Sequence, residues 1–245
     1  MTTPAPTSLA QANMMAVALA RLLRDGERVF HGVASPLPMV ACLLAQRLHA
    51  PRLVYLNITG SANPTPAELP ASTVDARLLA GTHSLVTLAD LFDMSARGAI
   101  DTVFLSGVQI DVEGRINMSA IGPYAQPKVR LPGGAGSAAL MPTARRVILW
   151  RTKHDPRTLV ERVGFVTAAG NVDRVVTPLC VFRRVEGRLQ VEQLFPYTAA
   201  DAVRAATGFP LDADDTTPVA PPPSEAELAA LAAIDPDQIR LIEFM

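Results

Sequence analysis

Aromatic residues are scarce in this chain, making up 5% of its 245 residues with a single tryptophan. A core of ordinary density must therefore be built from aliphatic side chains and alanine, which a hydrophobic fraction of 49% supplies. Charge is also sparse, at 18%, and nearly balanced, with 22 Lys+Arg against 23 Asp+Glu. Such a balance lacks the basic footprint of a nucleic-acid binder, and the apolar content excludes disorder over the whole chain. Cysteine is limited to Cys42 and Cys180. Their separation offers neither a zinc spacing nor a disulfide framework, so they read as buried thiols of a reducing cytoplasm. The long stretch without Asp, Glu, Lys or Arg, Val29 to Gln46, approaches membrane-spanning length but is interrupted by His31, Gly32, Ser35, Pro36 and Pro38. It reads as a buried strand, a turn and a buried helix. The N-terminal MTTPAPTSLAQ has no basic region leading into an apolar run, so no secretory signal is expected. Also missing are the P-loop pattern GxxxxGK, the dinucleotide pattern GxGxxG, the nucleophile elbow GxSxG and the zinc signature HExxH. The four histidines, His31, His49, His83 and His154, are scattered singly and read as packing or surface residues.

What is present is a chain long enough to bury a sizeable core without staples. After a polar Pro/Thr leader, residues 8–24 carry Leu9, Met15, Leu19 and Leu22 at helical spacing, closed by Asp25-Gly26. Glu27 to Gly32 reads as a strand. Ser35 before Pro36 predicts an N-cap and a second apolar helix to about His49, and Arg52 to Ile58 a buried strand. Strand, helix, strand is a crossover unit and predicts a largely parallel sheet with flanking helices. Further strands are expected at Asp101 to Ser106, in a pair turned at Glu113-Gly114, at Arg146 to Trp150, Arg162 to Val166 and Val175 to Phe182, and at Leu189 to Leu194. A glycine-rich turn opens a short helix that Pro142 stops, and Thr198 caps a helix to about Ala206 with Gly208 beyond it. From Phe209 onward eight acids face one base, Arg240, while the remaining 208 residues carry a net +6. This divides the chain into an α/β domain, residues 1–208, and an acidic linker with a C-terminal helix, residues 209–245. Ser224 and Glu227 form a capping box for that helix, which packs on the domain or on a partner.

Two loops are placed where chemistry is commonly done. Asn57 to Pro66 follows a parallel strand at its carboxyl end, where open α/β sheets collect ligands. In Pro132-Gly133-Gly134-Ala135-Gly136-Ser137, consecutive glycines allow backbone N–H groups to approach a phosphate or thioester oxygen, although a tight structural turn explains the same residues. Lys153 and His154 follow a strand and face either an anion or solvent.

The ordered segments GVASPLPMVACLLAQ, VYLNITGSANPTP, FLSGVQIDVEGRINMSAIG, KVRLPGGAGSA, VERVGFVTAAG, VVTPLCVF and FPYTAADAVRAATGF, followed by AIDP, resemble the β subunit of class I coenzyme A transferases of the glutaconate type. The resemblance runs from about residue 10 to the end. It implies a CoA-transferase-like α/β fold, a homologous α subunit in a heterodimer or α2β2 assembly, and a site shared between subunits. It also implies a CoA thioester as substrate, no permanently bound cofactor or metal, and a cytoplasmic enzyme without nucleic-acid or membrane partners. In the family a glutamate in an E-S-G-x-x-G-P loop forms covalent thioester intermediates. Aligned on Gly60 and Pro64, that glutamate position is Ile58 here, the serine is Thr59 and the second glycine is Asn63. The chain resembles two branches lacking the glutamate, the 3-methylglutaconyl-CoA decarboxylases and the hydrolases that open the last steroid rings as CoA thioesters.

By resemblance, Gly133, Gly134, Ala135 and Gly136 would sit near CoA and the thioester. Asn57, Ile58, Thr59, Gly60, Ser61, Asn63 and Gln109 would shape the acyl pocket. Decarboxylation or C–C hydrolysis of an acyl-CoA is the expected activity. The alternatives are a true CoA transfer with its carboxylate supplied elsewhere, and a silent subunit that completes its partner's site.

Overall fold

The computed structural model describes residues 6–244, so the first five residues of the Pro/Thr leader lie outside the described residues. Two compact units are formed, one comprising the chain up to Phe104 and again from Pro222, the other Leu105–Pro221.

The first unit begins with α1, Ser8–Arg21, whose first turn is capped by Thr7 Oγ1 accepting from the Ala10 amide. Ala12 and every residue from Met14 to Ala20 are buried, so the helix is enclosed on nearly all sides rather than along one face. Leu9, in the first turn, is exposed, so burial begins later than the leucine spacing suggests. β1, Arg28–His31, pairs in parallel with both β2, Val54–Leu56, and β5, Thr102–Leu105. The helix α2, Pro36–Leu48, crosses between β1 and β2, with Pro36 at its first position where a missing N–H costs nothing. Ser35 precedes it as expected, but its hydroxyl turns back to donate to the Val33 carbonyl instead of capping.

Beyond β2 the sheet continues antiparallel through β3, Ser61–Ala62, and β4, Ser84–Leu85. A further helix, α3, Leu88–Ala96, is absent from the expectations above. It begins with a full capping box in which Thr87 and Asp90 satisfy each other's backbone N–H.

The acidic C-terminal segment returns to this unit. Helix α6, Glu225–Ile234, carries the expected Ser224–Glu227 box. Glu227 also receives two hydrogen bonds from Arg21 of α1, at 2.8 and 2.7 Å. A closing 3-10 turn, Ile239–Phe244, delivers Arg240 to Asp235 at 2.6 Å and to Asn13 of α1 at 2.7 Å.

In the second unit, β6, Gln109–Asp111, is joined to β7, Ile116–Asn117, by the expected turn, and it pairs in parallel with β11, Leu159–Val160. Asp111, fully buried, closes the turn by accepting from the Glu113 and Arg115 amides and from Arg115 Nε, and it also accepts from the Val163 amide. That last bond pulls residues 162–166 into an irregular course, so the strand expected there is not formed. A small hairpin of β8, Ala120–Ile121, and β9, Val129–Arg130, leads to the glycine turn and α4, Ser137–Thr143, which runs one residue past Pro142.

β10, Arg146–Trp150, pairs in parallel with β12, Val172–Val176, and the antiparallel β13, Cys180–Val185, and β14, Arg188–Leu194, follow. The single strand expected over Val175 to Phe182 is thus two. Thr177 and Pro178 turn the chain, with the Thr177 amide donating to the Cys180 carbonyl. α5, Ala200–Ala206, is preceded by Ala199 rather than capped by Thr198, whose hydroxyl is buried without a partner. Both cysteines are free and buried, Cys42 in the first unit and Cys180 in the second.

The Arg240–Asp235 pair is almost wholly withdrawn from water. Removing only the cation, in Arg240→Leu, leaves the Asp235 carboxylate buried and short of its partner. It should cost roughly 3 kcal/mol, read as a lowered denaturant midpoint. A change under about 1 kcal/mol, the range of exposed pairs, would contradict this anchoring.

Candidate active site

The loop singled out in the sequence is a closed turn between β2 and β3. The Asn57 amide donates to the Ser61 carbonyl at 2.8 Å and the Gly60 amide to the Asn57 carbonyl at 3.0 Å. Asn57 Oδ1 accepts from both the amide and the hydroxyl of Thr59, each at 2.9 Å, and Thr59 Oγ1 lies 3.4 Å from Ser61 Oγ. Gly60 is required in two ways: its φ is +97°, and an added Cβ would stand 3.2 Å from the Val86 carbonyl oxygen. Ile58 sits half-buried in the turn between these polar residues. Asn63 adopts φ +51°, which asparagine tolerates. Its side-chain carbonyl accepts from the Tyr55 amide and from Gln46 Nε2, so it braces the strand behind the turn.

Behind Asn57 lies a buried polar chain that the sequence reading passed over. Asn57 Nδ2 donates to Tyr55 Oη at 2.6 Å, and Tyr55 Oη is 2.6 Å from His31 Nε2. His31 Nδ1 is 2.9 Å from the Gly32 carbonyl. A carbonyl only accepts, so Nδ1 carries the proton, and Nε2 of the neutral ring accepts from the Tyr55 hydroxyl. Burial pushes the His31 pKa down to about 4 and the Tyr55 phenol well above its usual value. Both groups therefore keep the protonation this chain needs. The signal in the sequence was a histidine ending one parallel strand while a tyrosine and an asparagine close the next. Registered as β1 and β2 are, these three meet at the carboxyl end of the sheet.

Gln109 and the glycine turn belong to the second unit. Both ends of the Gln109 amide are engaged, Nε2 donating to the Arg157 carbonyl and Oε1 accepting from Asn117. Gly133 has φ +95° with open space around its missing Cβ, whereas a Cβ on Gly134 would come within 2.6 Å of Thr167 Cγ2 and 2.8 Å of Ser137 Oγ. Ala135 also has positive φ, and the Ser137 hydroxyl is buried without a partner. Gly134 is thus held by close packing and Gly133 by its positive φ, so neither position takes a side chain without strain.

His154 does not face an anion. It bridges Thr177 and Thr207 at 2.8 and 2.9 Å, stacks on Phe182, and its pKa is lowered to about 4 by burial. Among the described residues no group of three or more His, Cys, Asp or Glu is placed to hold a metal. Nor is any helix among the described residues long and apolar enough to cross a membrane.

The sequence pattern of the coenzyme A transferase family matches residues 12–206. One of the subunits of the 3-oxoadipate CoA-transferase of Pseudomonas knackmussii is 30% identical over 91% of this chain and 92% of its own length. The chain belongs to the coenzyme A transferase family. The resemblance drawn from the ordered segments is therefore borne out. The family member is also 25% identical to the IpdB subunit of the cholesterol ring-cleaving hydrolase of Rhodococcus jostii, with 96% of each chain covered. Among solved structures, a chain of the decarboxylase AibA/AibB superposes with a TM-score of 0.89 at 34% identity, covering 95% of this chain and 97% of that one. Glutaconate coenzyme A-transferase of Acidaminococcus fermentans, at 23% identity and a TM-score of 0.84, shares the α/β fold.

In this family member the fully buried His31 and the half-buried His154 set a pH dependence. Folded, each stays neutral until the pH nears 4, while unfolded each takes up a proton near 6.5. Between those values the unfolded state binds more protons, so the stability these two imidazoles contribute is full above pH 7, falls as the pH drops and is lost below about 4. Each imidazole contributes up to about 3 kcal/mol to this loss. Denaturant unfolding at pH 7.5, 6 and 5 measures the slope. Equal stability at all three values would refute it, and so would His31 or His154 resonances titrating near 6.5 in the native protein.

Proposed function

We propose that this chain is the β subunit of a heteromeric coenzyme A transferase family enzyme that acts on an acyl-CoA by decarboxylation or C–C hydrolysis rather than by acyl transfer. The observation that carries the reading is the turn itself. Ile58 stands where the family's nucleophilic glutamate is expected, and no residue from Asn57 to Asn63 has a carboxyl group. An aliphatic side chain forms no thioester, so the covalent relay of a transferase has no acceptor there. The likeness to AibA/AibB, a decarboxylase, supports the same choice.

In either reaction the thioester carbonyl is the electron sink, and hydrogen-bond donors aimed at its oxygen stabilise the enolate-like transition state. We assign the turn Gly133, Gly134, Ala135 and Gly136 to the CoA and thioester, the Gly133 N–H being committed to the Met118 carbonyl at 2.7 Å. Within the first unit the acyl pocket is assigned to Asn57, Ile58, Thr59, Gly60 and Ser61, with Asn63 bracing the turn, while Gln109 of the second unit has its amide committed to Arg157 and Asn117. The CoA thioester is the substrate, no cofactor stays bound, and the enzyme works in the cytoplasm. The main α/β domain, residues 1–208, carries this chemistry, and the acidic segment 209–245 serves its assembly. The partner is a homologous α subunit in a heterodimer or α2β2 complex. Exposed apolar residues such as Leu85, Leu88, Val129 and Val166 favour such a partner. Co-expression with the α subunit should give a soluble heteromer and the chain alone a self-associating one. A monodisperse monomer indifferent to the partner would count against the assembly.

The mechanism is tested by mass spectrometry of the complex after incubation with candidate acyl-CoAs. No CoA or acyl adduct is expected on residues 57–63. Ile58→Glu should not by itself restore efficient transfer, because the new carboxylate enters a partly apolar site where desolvation raises its pKa. A CoA thioester on a carboxylate of this chain, turning over at a competent rate, would reinstate ordinary transfer.

A further inference from the structure

We propose that His31 and Tyr55 are positioning residues, forming a one-way chain of hydrogen bonds that holds the Asn57–Ser61 turn in its working shape. The inference rests on reading that turn as part of the acyl pocket. Its force lies in the two ends of the chain. At one end stands the Gly32 carbonyl, which can only accept, and at the other the Thr59 amide, which can only donate. Between them every polarity follows: Nδ1–H to Gly32, the Tyr55 hydroxyl to Nε2, Asn57 Nδ2–H to the Tyr55 oxygen, and Thr59 N–H and O–H to Asn57 Oδ1.

Turning the Asn57 amide over would set donor against donor at Thr59 and draw the Tyr55 hydroxyl away from His31. Protonating His31 would set Nε2–H and the Asn57 amide against one phenolic oxygen and leave the phenolic proton without an acceptor. Only one arrangement satisfies all the members, and His31, Tyr55 and Asn57 are fully buried, where an unmet polar group is most costly. The sheet does not need these groups for its pairing, because β1 and β2 are already joined by parallel backbone bonds, and apolar side chains would fill the same space. What the chain adds is a fixed Asn57, and with it the placement of Ile58 and Thr59.

The test uses Tyr55→Phe in the assembled enzyme, which removes one oxygen and leaves the ring. Amide exchange at Thr59 and Gly60 should accelerate roughly 10-fold or more while Phe30 and Leu56, in the flanking strands, stay within about twofold. In turnover of whichever acyl-CoA the native complex consumes, kcat should fall roughly 10-fold or more with KM nearly unchanged, the pattern of lost positioning rather than lost binding. In the native protein, nitrogen chemical shifts of His31 should show Nδ1 protonated and Nε2 bare from pH 8 to pH 5. Exchange unchanged at the turn, or faster equally throughout the unit, would overturn the proposal. Faster exchange at the turn with kcat intact would overturn it as well. If the native complex turns over no acyl-CoA, the functional reading fails on its own account, and the exchange and nitrogen-shift measurements still decide whether the chain sets the turn.

Discussion

A carbonyl cannot donate a hydrogen bond, and in the first unit this elementary limit reaches a long way. The Gly32 carbonyl beyond β1 fixes which nitrogen of His31 bears hydrogen, the imidazole then fixes the Tyr55 hydroxyl, and Tyr55 fixes the Asn57 amide. The turn that follows is therefore built on a side chain with no freedom to rotate. Around it the backbone closes through Asn57 to Ser61, with Gly60 in a conformation and at an approach to Val86 that few other residues accept. Asn63 works from the rear, tying the far end of the turn to Tyr55 and to α2 through Gln46. The Asn57–Ser61 turn, with the aliphatic Ile58 at its bend, thus has a rigid support.

Two acids of the C-terminal segment, Glu227 and Asp235, act through particular pairings rather than through bulk charge. Glu227 caps its own helix and receives Arg21, while Asp235 caps the final turn and receives Arg240. These carboxylates fasten the last residues across α1, which explains why α1 is buried on nearly all sides although its sequence has few large apolar residues. Alanines at positions 12, 16, 18 and 20 leave room for helices on several faces. The fastening is specific in direction because each acid also accepts from a backbone amide close to it in the chain.

Much of this architecture was legible in the sequence. Pro36 marks where α2 starts, the apolar runs mark β1, β2 and β10, and Ser224 with Glu227 marks α6, because each of these signals is local. The α3 helix has an equally local signal in Thr87 and Asp90, although its short apolar pattern stands out less than the glycine and proline turns. Other misreadings were not local errors. Residues 162–166 have strand-like composition, yet the Val163 amide is claimed by Asp111, some 50 residues earlier. Ser35 and Thr198 have the chemistry of caps but not the orientation. In the candidate site, the turn and its missing carboxylate were visible as a motif. His31 and Tyr55 were not, since only the parallel register of two strands brings them together.

The distribution of the thiols carries a practical consequence. Burial raises the pKa of Cys42 well above the ordinary thiol range and that of Cys180 to about 12, so neither offers a thiolate to oxidants while folded. Each belongs to a different compact unit, Cys42 on α2 behind the candidate site and Cys180 at the start of β13. The chain thereby carries two separate reporters of its own breathing. The rate at which a thiol reagent reaches each sulfur records how often that unit opens, without the addition of any label.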